Sequence, residues 1–176
     1  MENVRVTSSE AILEQAIVIA KSEGIEQLNI RRLAKDCNIA IGSVYNYYKN
    51  KDTLLKDVAE CFWKELLKDH EKVYRKGMRF TDFLTQYYSF VYSRMKKYDR
   101  DWLDERIGKP FEREVSQLLK VAMEEDKRID PSIWNMELTR AEFVQHVLVN
   151  MIALLRKGET NCRFFAFLLE KLLYEE

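Results

Sequence analysis

The sequence is poor in the residues that bend or break a chain. Its 176 residues include 5 glycines and 2 prolines, too few for the turns of an all-β sandwich or barrel, so helices are expected. Cysteine is scarce as well. Cys37, Cys61 and Cys162 are odd in number, far apart and without C-x-x-C spacing, which argues against a disulfide framework or a zinc ribbon. The 2 histidines, His70 and His146, are too few for a His-rich metal site, and neither metal nor cofactor is expected. There is no Ser-His-Asp set and no phosphate-binding glycine loop. The charged run from Lys96 to Arg106 reads as a solvated face with local ion pairs, so no catalytic residues and no enzymatic activity are expected. The longest apolar run, Val147 to Leu155, is broken by Asn150, whereas a membrane-spanning helix needs ~20 apolar residues. Glu2, Arg5, Glu10 and Glu14 stand where a secretion signal would carry its apolar core. A reduced, cytoplasmic protein outside the membrane is expected. Net charge is absent too, since 29 Lys and Arg offset 29 Asp and Glu. Any nucleic-acid partner must therefore be signalled locally.

What is present has helical spacing. Hydrophobic residues make up 47% and charged residues 33% of the chain, a globular balance. Gly24, Gly77, Gly108 and Gly158 each follow a helically spaced stretch, as glycines that end helices do. Pro110 and Pro131 fall at helix starts or in connections. A first helix is expected from Ser9 to Ser22, with Ile12, Ala16, Ile19 and Ala20 on one stripe. Asn29 caps a second, in which Ile30, Leu33, Ala34 and Cys37 share a face. A turn at Asn38-Ile39-Ala40 precedes a short helix from Ile41 to Tyr48. Asn50 caps a fourth helix, Lys51 to Lys68, in which Leu54, Val58, Phe62 and Leu66 recur every four residues. Further helices are expected behind a Thr81 cap as far as Lys97, from Pro110 to Asp126, from Arg140 to Lys157 behind Thr139, and from Cys162 to Tyr174 behind Asn161. No convincing strand is found, and the fold class is all-α.

The stretch from Asn29 to Tyr48, two helices joined by a tight turn, has the layout of a helix-turn-helix DNA reader. In the short helix Val44 and Tyr48 can face inward. Ile41, Ser43, Asn46 and Tyr47 are left on other faces, and Gly42 lets the backbone approach a phosphate or base closely. Asn46 can pair with a base edge or a phosphate, Tyr45 and Tyr47 offer hydroxyls to phosphates, and Lys51 opens the next helix, where free N–H groups hold anions. Arg31, Arg32, Lys35, Lys49, Lys51 and Lys56 outnumber Asp36 and Asp52, giving a basic patch in a neutral chain. Spacing and charge also fit a plain helical hairpin with a solvated basic face, or an adaptor that binds protein.

Residues 30 to 54, with Leu33-Ala34, Ile39, Gly42, Ser43, Val44, Tyr45, Tyr47 and Lys51 at the matching positions, resemble the DNA-binding domain of the TetR/AcrR family of transcriptional regulators. There are three departures. Asn38 replaces the usual turn glycine, and Asn tolerates the left-handed conformation. Tyr48 replaces a Phe. Ala40 and Ile41 replace a Ser-Lys pair, losing a capping oxygen and a cation; Ile41 is expected to read a thymine methyl instead. The resemblance implies an N-terminal three-helix DNA-binding domain over residues 1–50, a connecting helix over 51–68, and a helical effector-binding and dimerisation domain over 69–176. It implies that double-stranded DNA with an inverted repeat is contacted by Asn29, Arg31, Ala40, Ile41, Gly42, Ser43, Tyr45, Asn46, Tyr47 and Lys51.

Most of the aromatic residues lie after Lys68. At helical spacing they are either core or the wall of an apolar cavity. The resemblance implies a cavity for an apolar or aromatic small-molecule effector, with Tyr88, Tyr92, Trp102, Phe111, Trp134 and His146 as candidates. The last two helices are apolar around much of their circumference, which requires cover on two sides. That cover is either the chain's own body or a second subunit. The resemblance favours a homodimer, with Phe143, Val147, Met151, Leu154, Phe165, Leu168 and Leu172 at the interface. It also implies a repressor whose effector, through a different tilt of the fourth helix, moves two recognition helices off half-sites roughly 34–36 Å apart. A regulator without an effector fits the same residues.

Overall fold

A computed structural model describes residues 8–174. Among these residues there are eight α-helices and no strand: α1 (Ser9–Glu23), α2 (Ile30–Asp36), α3 (Ile41–Tyr47), α4 (Lys51–Leu66), α5 (Phe80–Met95), α6 (Lys109–Glu125), α7 (Arg140–Lys157) and α8 (Arg163–Leu173). Short 3₁₀ turns occur at Ile25–Gln27, His70–Val73, Arg100–Leu103 and Pro131–Ile133. None of the helices is long and apolar enough to cross a membrane.

The chain folds as two compact units. One contains the residues up to Glu65 together with Tyr98–Pro110, and the other contains Leu66–Lys97 and the residues from Phe111 onward. Residues 98–110, which the sequence assigns to the second domain, thus cluster with the first.

In the first unit, Ser8 caps α1 by accepting from the Ala11 N–H at 3.2 Å. The stripe Ile12, Ala16, Ile19 and Ala20 is buried as its spacing requires. α2 buries Ile30, Leu33 and Ala34, and α4 buries Leu54, Val58, Phe62 and Trp63. The ring of Phe62 stacks on Trp102 at 3.5 Å between centroids, with Trp63 and Tyr98 edge-on at 5.1 and 4.9 Å. The Trp63 indole N–H donates to the Ile107 carbonyl at 2.9 Å. These contacts hold the returning segment on the unit's core.

In the second unit α5 buries Phe80, Phe83, Leu84, Tyr87, Tyr88 and Val91, and packs along α8. α7 opens with a capping box between Thr139 and Glu142 and closes at Gly158 in the left-handed region, φ 76°. The Asp126 carboxylate is buried between elements. It accepts from the Phe80 N–H (2.8 Å), the Tyr174 hydroxyl (2.6 Å), the Arg128 Nε (2.7 Å) and the Arg128 N–H (3.2 Å). Burial alone would raise its pKa, but these hydrogen bonds hold it below the usual carboxylate value. Burial and the same carboxylate push Tyr174 up to about 12.

Some local expectations are corrected. Thr81 does not cap α5; it lies one residue inside the helix and is buried, and Arg79 precedes the first turn. At α8 the N-cap position falls on Cys162, while Asn161 Oδ1 accepts from the Arg163 N–H at 3.1 Å. Gly77 lies in a turn after a 3₁₀ segment, and Gly108 precedes α6, so neither ends an α-helix. α4 stops at Leu66, and the chain turns through Leu67–Asp69, where Asp69 is left-handed with φ 62°.

Candidate nucleic-acid interface

The α2–α3 turn is built from local hydrogen bonds. Asn29 Oδ1 accepts from the Arg32 N–H at 2.9 Å and starts α2. At its end the Asn38 N–H donates to Lys35 O and the Ile39 N–H to Ala34 O, both at 3.0 Å. This Schellman arrangement requires its central residue to be left-handed. Asn38 is, with φ 54°, as expected from its place in the usual glycine's position. Ala40 heads α3 with no side-chain cap.

α3 is anchored by Val44, fully buried, and by Tyr48 just past its end, whose hydroxyl pKa is raised chiefly by burial. The rest of the helix faces outward. Ile41 is 43% exposed, Tyr45 50% and Tyr47 47%; Asn46 and Ala40 are exposed and Ser43 half-buried. A Cβ on Gly42 would meet nothing within 4 Å, so packing in this chain does not call for the glycine. Lys51 is half-buried at the start of α4, where Asn50 Oδ1 accepts from the Thr53 N–H at 2.9 Å. Arg31 is exposed on α2. The Oδ1 of Asn29 is spent on its own helix. Arg32 pairs with Glu23 and Asp36, so one of the six basic residues is neutralised within the unit.

The structure does not gather the six effector candidates. Trp102 belongs to the core of the first unit, stacked on Phe62. Tyr88 and Phe111 are fully buried in the second. The Tyr88 hydroxyl donates to Glu159 O at 2.7 Å, and its ring lies parallel to Tyr92 at 6.4 Å. His146 is exposed. Trp134 is half-buried, edge-on to Phe143 at 5.5 Å and beneath the Arg140 guanidinium. A groove of about 420 Å³ beside it is lined by Met123, Ile129, Lys127 and Arg140, and Trp134 alone of the six reaches it.

The interface candidates divide. Phe143, Val147 and Met151 are buried in their own chain, which removes them from any outer face. Leu154 and Phe165 are half-buried. Leu168 and Leu172 are 48% and 47% exposed, beside Phe164 at 74% and Phe167 at 54%, two residues outside the expected interface set. Together these four make one apolar face of α8, with spacing i, i+3, i+4 and i+8.

A braced helix, a left-handed turn and a short outward helix define a helix-turn-helix protein. Residues 12–58 match the family described as bacterial regulatory proteins, tetR family. That match runs from within α1 to within α4, across the helix-turn-helix. A curated protein of Haemophilus influenzae, described as an uncharacterized HTH-type transcriptional regulator, is 29% identical over 109 residues, 56% of this chain and 58% of that protein. The match thus spans little more than half the length of that relative. Among solved structures, RolR without ligand aligns with a TM-score of 0.66 at 13% identity, covering 94% of this chain and 90% of that one. BioQ with its double-stranded DNA operator aligns at 0.61 and 17% identity, covering 94% of each. At such identities these neighbours speak for the fold. The family and the curated relative are regulators and not enzymes.

Proposed function

We propose that the chain is a sequence-reading DNA-binding transcription regulator that acts as a homodimer, with α3 in the major groove. One observation carries this reading. The exposed face of α3 holds Ile41, Tyr45, Asn46 and Tyr47 around an unobstructed Gly42. Side chains of this kind suit a duplex: tyrosine hydroxyls for phosphates, an amide for base edges and an aliphatic group for a thymine methyl. Exposed Arg31, Lys35, Lys49 and Lys56, with Lys51 at a helix start, supply the cations.

The dimer reading is supported by the α8 face of Phe164, Phe167, Leu168 and Leu172. A run of large apolar residues on one side of a helix is costly to leave in water, and a two-fold axis matches the face with itself. Two copies would read two halves of an inverted repeat. Repression, with release by a small molecule, is the regulatory logic proposed with it. That BioQ was solved with its operator is consistent with the DNA partner.

Selection of bound duplexes from a random pool tests this reading. An inverted repeat is expected, with affinity falling steeply as salt rises. Enrichment of no sequence, together with indifference to salt, would refute it.

A further inference from the structure

Tyr87 on α5 is fully buried. Among the described residues its hydroxyl has one hydrogen-bond partner, Nδ1 of His70, at 2.7 Å. His70 is half-buried and opens the 3₁₀ turn that follows α4, and its own N–H donates to Leu67 O at 2.9 Å. A second tie joins the same junction to α5. Arg94 Nη1 donates to Leu66 O at 2.7 Å and Lys68 O at 2.9 Å, and its guanidinium lies 4.2 Å above the Phe90 ring. The end of α4 is thus held to α5 by one permanently charged contact and one that depends on a proton.

The proton dependence follows from donor and acceptor counting. Neutral His70 with its hydrogen on Nε2 leaves Nδ1 free to accept from the Tyr87 O–H. Protonated His70 makes Nδ1 a donor. The tyrosine oxygen can accept that hydrogen, but its own hydrogen then has no acceptor in a buried site, which is costly. Burial favours the neutral ring, against the pull of Glu71 on the same turn and Glu114 on α6. Of the other charges at the junction, Asp69 pairs with Lys72, Arg94 is spent on the two carbonyls, and Lys68 is exposed to solvent.

We propose that His70 and Tyr87 form a proton-operated latch at the end of α4, closed while His70 is neutral and released when it is protonated, so that mild acid loosens the α4–α5 junction and weakens DNA binding. Because the folded-state pKa lies below the ordinary value of 6.5, the latch contributes fully above 6.5. Its contribution is lost as pH falls through the lower folded value.

Only the readout on DNA rests on the function proposed above. His70 and His146 are the chain's 2 histidines, so their ring signals can be followed separately by NMR in the full chain. His70 is expected to titrate below 6.5, and to move toward 6.5 in Tyr87→Phe. Between pH 7.5 and 5.5, affinity for a selected duplex should fall roughly three- to tenfold more in the parent and in His146→Gln than in His70→Gln. A His70 ring titrating at or above 6.5, or the same pH profile in His70→Gln, would overturn the latch. If no duplex binds at any pH, the DNA reading fails. The latch is then decided by the ring titration and by the pH dependence of amide exchange at Leu66–His70.

Discussion

Arg32 on α2 grips Glu23 at the end of α1 through two parallel hydrogen bonds, Nη1 to Oε2 and Nη2 to Oε1, both 2.5 Å. Its Nε lies 3.4 Å from Asp36 Oδ2. Bidentate pairing of this kind fixes geometry as well as charge. Arg32 therefore braces α2 against α1, whereas its neighbour Arg31 has no ion pair among the described residues.

Arg32→Ala should lower the melting temperature and leave the salt dependence of DNA binding nearly unchanged. Arg31→Ala should do the reverse, reducing the log–log salt slope by about 1. Anisotropy titrations at several salt concentrations separate the two. The Arg32 hydrogen bond also holds the Glu23 carboxyl below its ordinary value of 4.5. The brace accordingly contributes above 4.5 and is lost as pH falls through the lower folded value.

Gly42→Ala should stabilise the protein and weaken its hold on DNA. The added methyl meets nothing in the chain, and alanine is favoured over glycine within a helix by roughly 0.5–1 kcal/mol. A rise in melting temperature with unchanged DNA affinity would mean that no outside group approaches this point.

Leu168→Asp should abolish the proposed dimer with little loss of monomer stability, as read by sedimentation against unfolding midpoint. Met151→Ala should do the opposite. Met151 is fully buried in its own chain, and truncating such a side chain costs about 2–5 kcal/mol.

Asp126→Ala should cost roughly 3 kcal/mol or more, because it leaves the Tyr174 hydroxyl hydrogen without an acceptor in a buried site and the Phe80 N–H with only its 3.1 Å contact to the Tyr174 oxygen. Tyr174→Phe should cost about 1 kcal/mol, since Phe80 keeps the carboxylate. The Asp126 contribution is complete above its unfolded-state value and disappears as acid titrates the lower folded one. Urea midpoints measured across acid pH would follow it.

The sequence was most legible where signals are local. Thr139, Glu142 and Gly158 sit on or beside α7, and its bounds are those the sequence predicts, Arg140 to Lys157. Asn38 takes the conformation that its position in the family pattern demands. Val44 and Tyr48 point inward, and Ile41, Tyr45 and Tyr47 outward, as a period of 3.6 dictates. Other features depend on distant residues. Nothing near Trp102 says that it will cover Phe62, 40 positions earlier in the chain. α8 is apolar on several sides, so spacing alone could not tell that Leu169 and Leu173 turn inward while Phe164 and Phe167 turn out. The His70–Tyr87 and Asp126–Tyr174 pairs join segments far apart in the chain, and a lone histidine or aspartate in a sequence does not name its partner.

The return of Tyr98–Pro110 to the first unit bears on how this protein can be taken apart. A fragment cut after α4 would leave the Phe62 ring bare and the Trp63 indole without its carbonyl, inviting aggregation. A chimera that borrows only the reader must therefore transplant a second, non-contiguous strip as well, and shuffling by simple recombination at one crossover would not deliver both pieces.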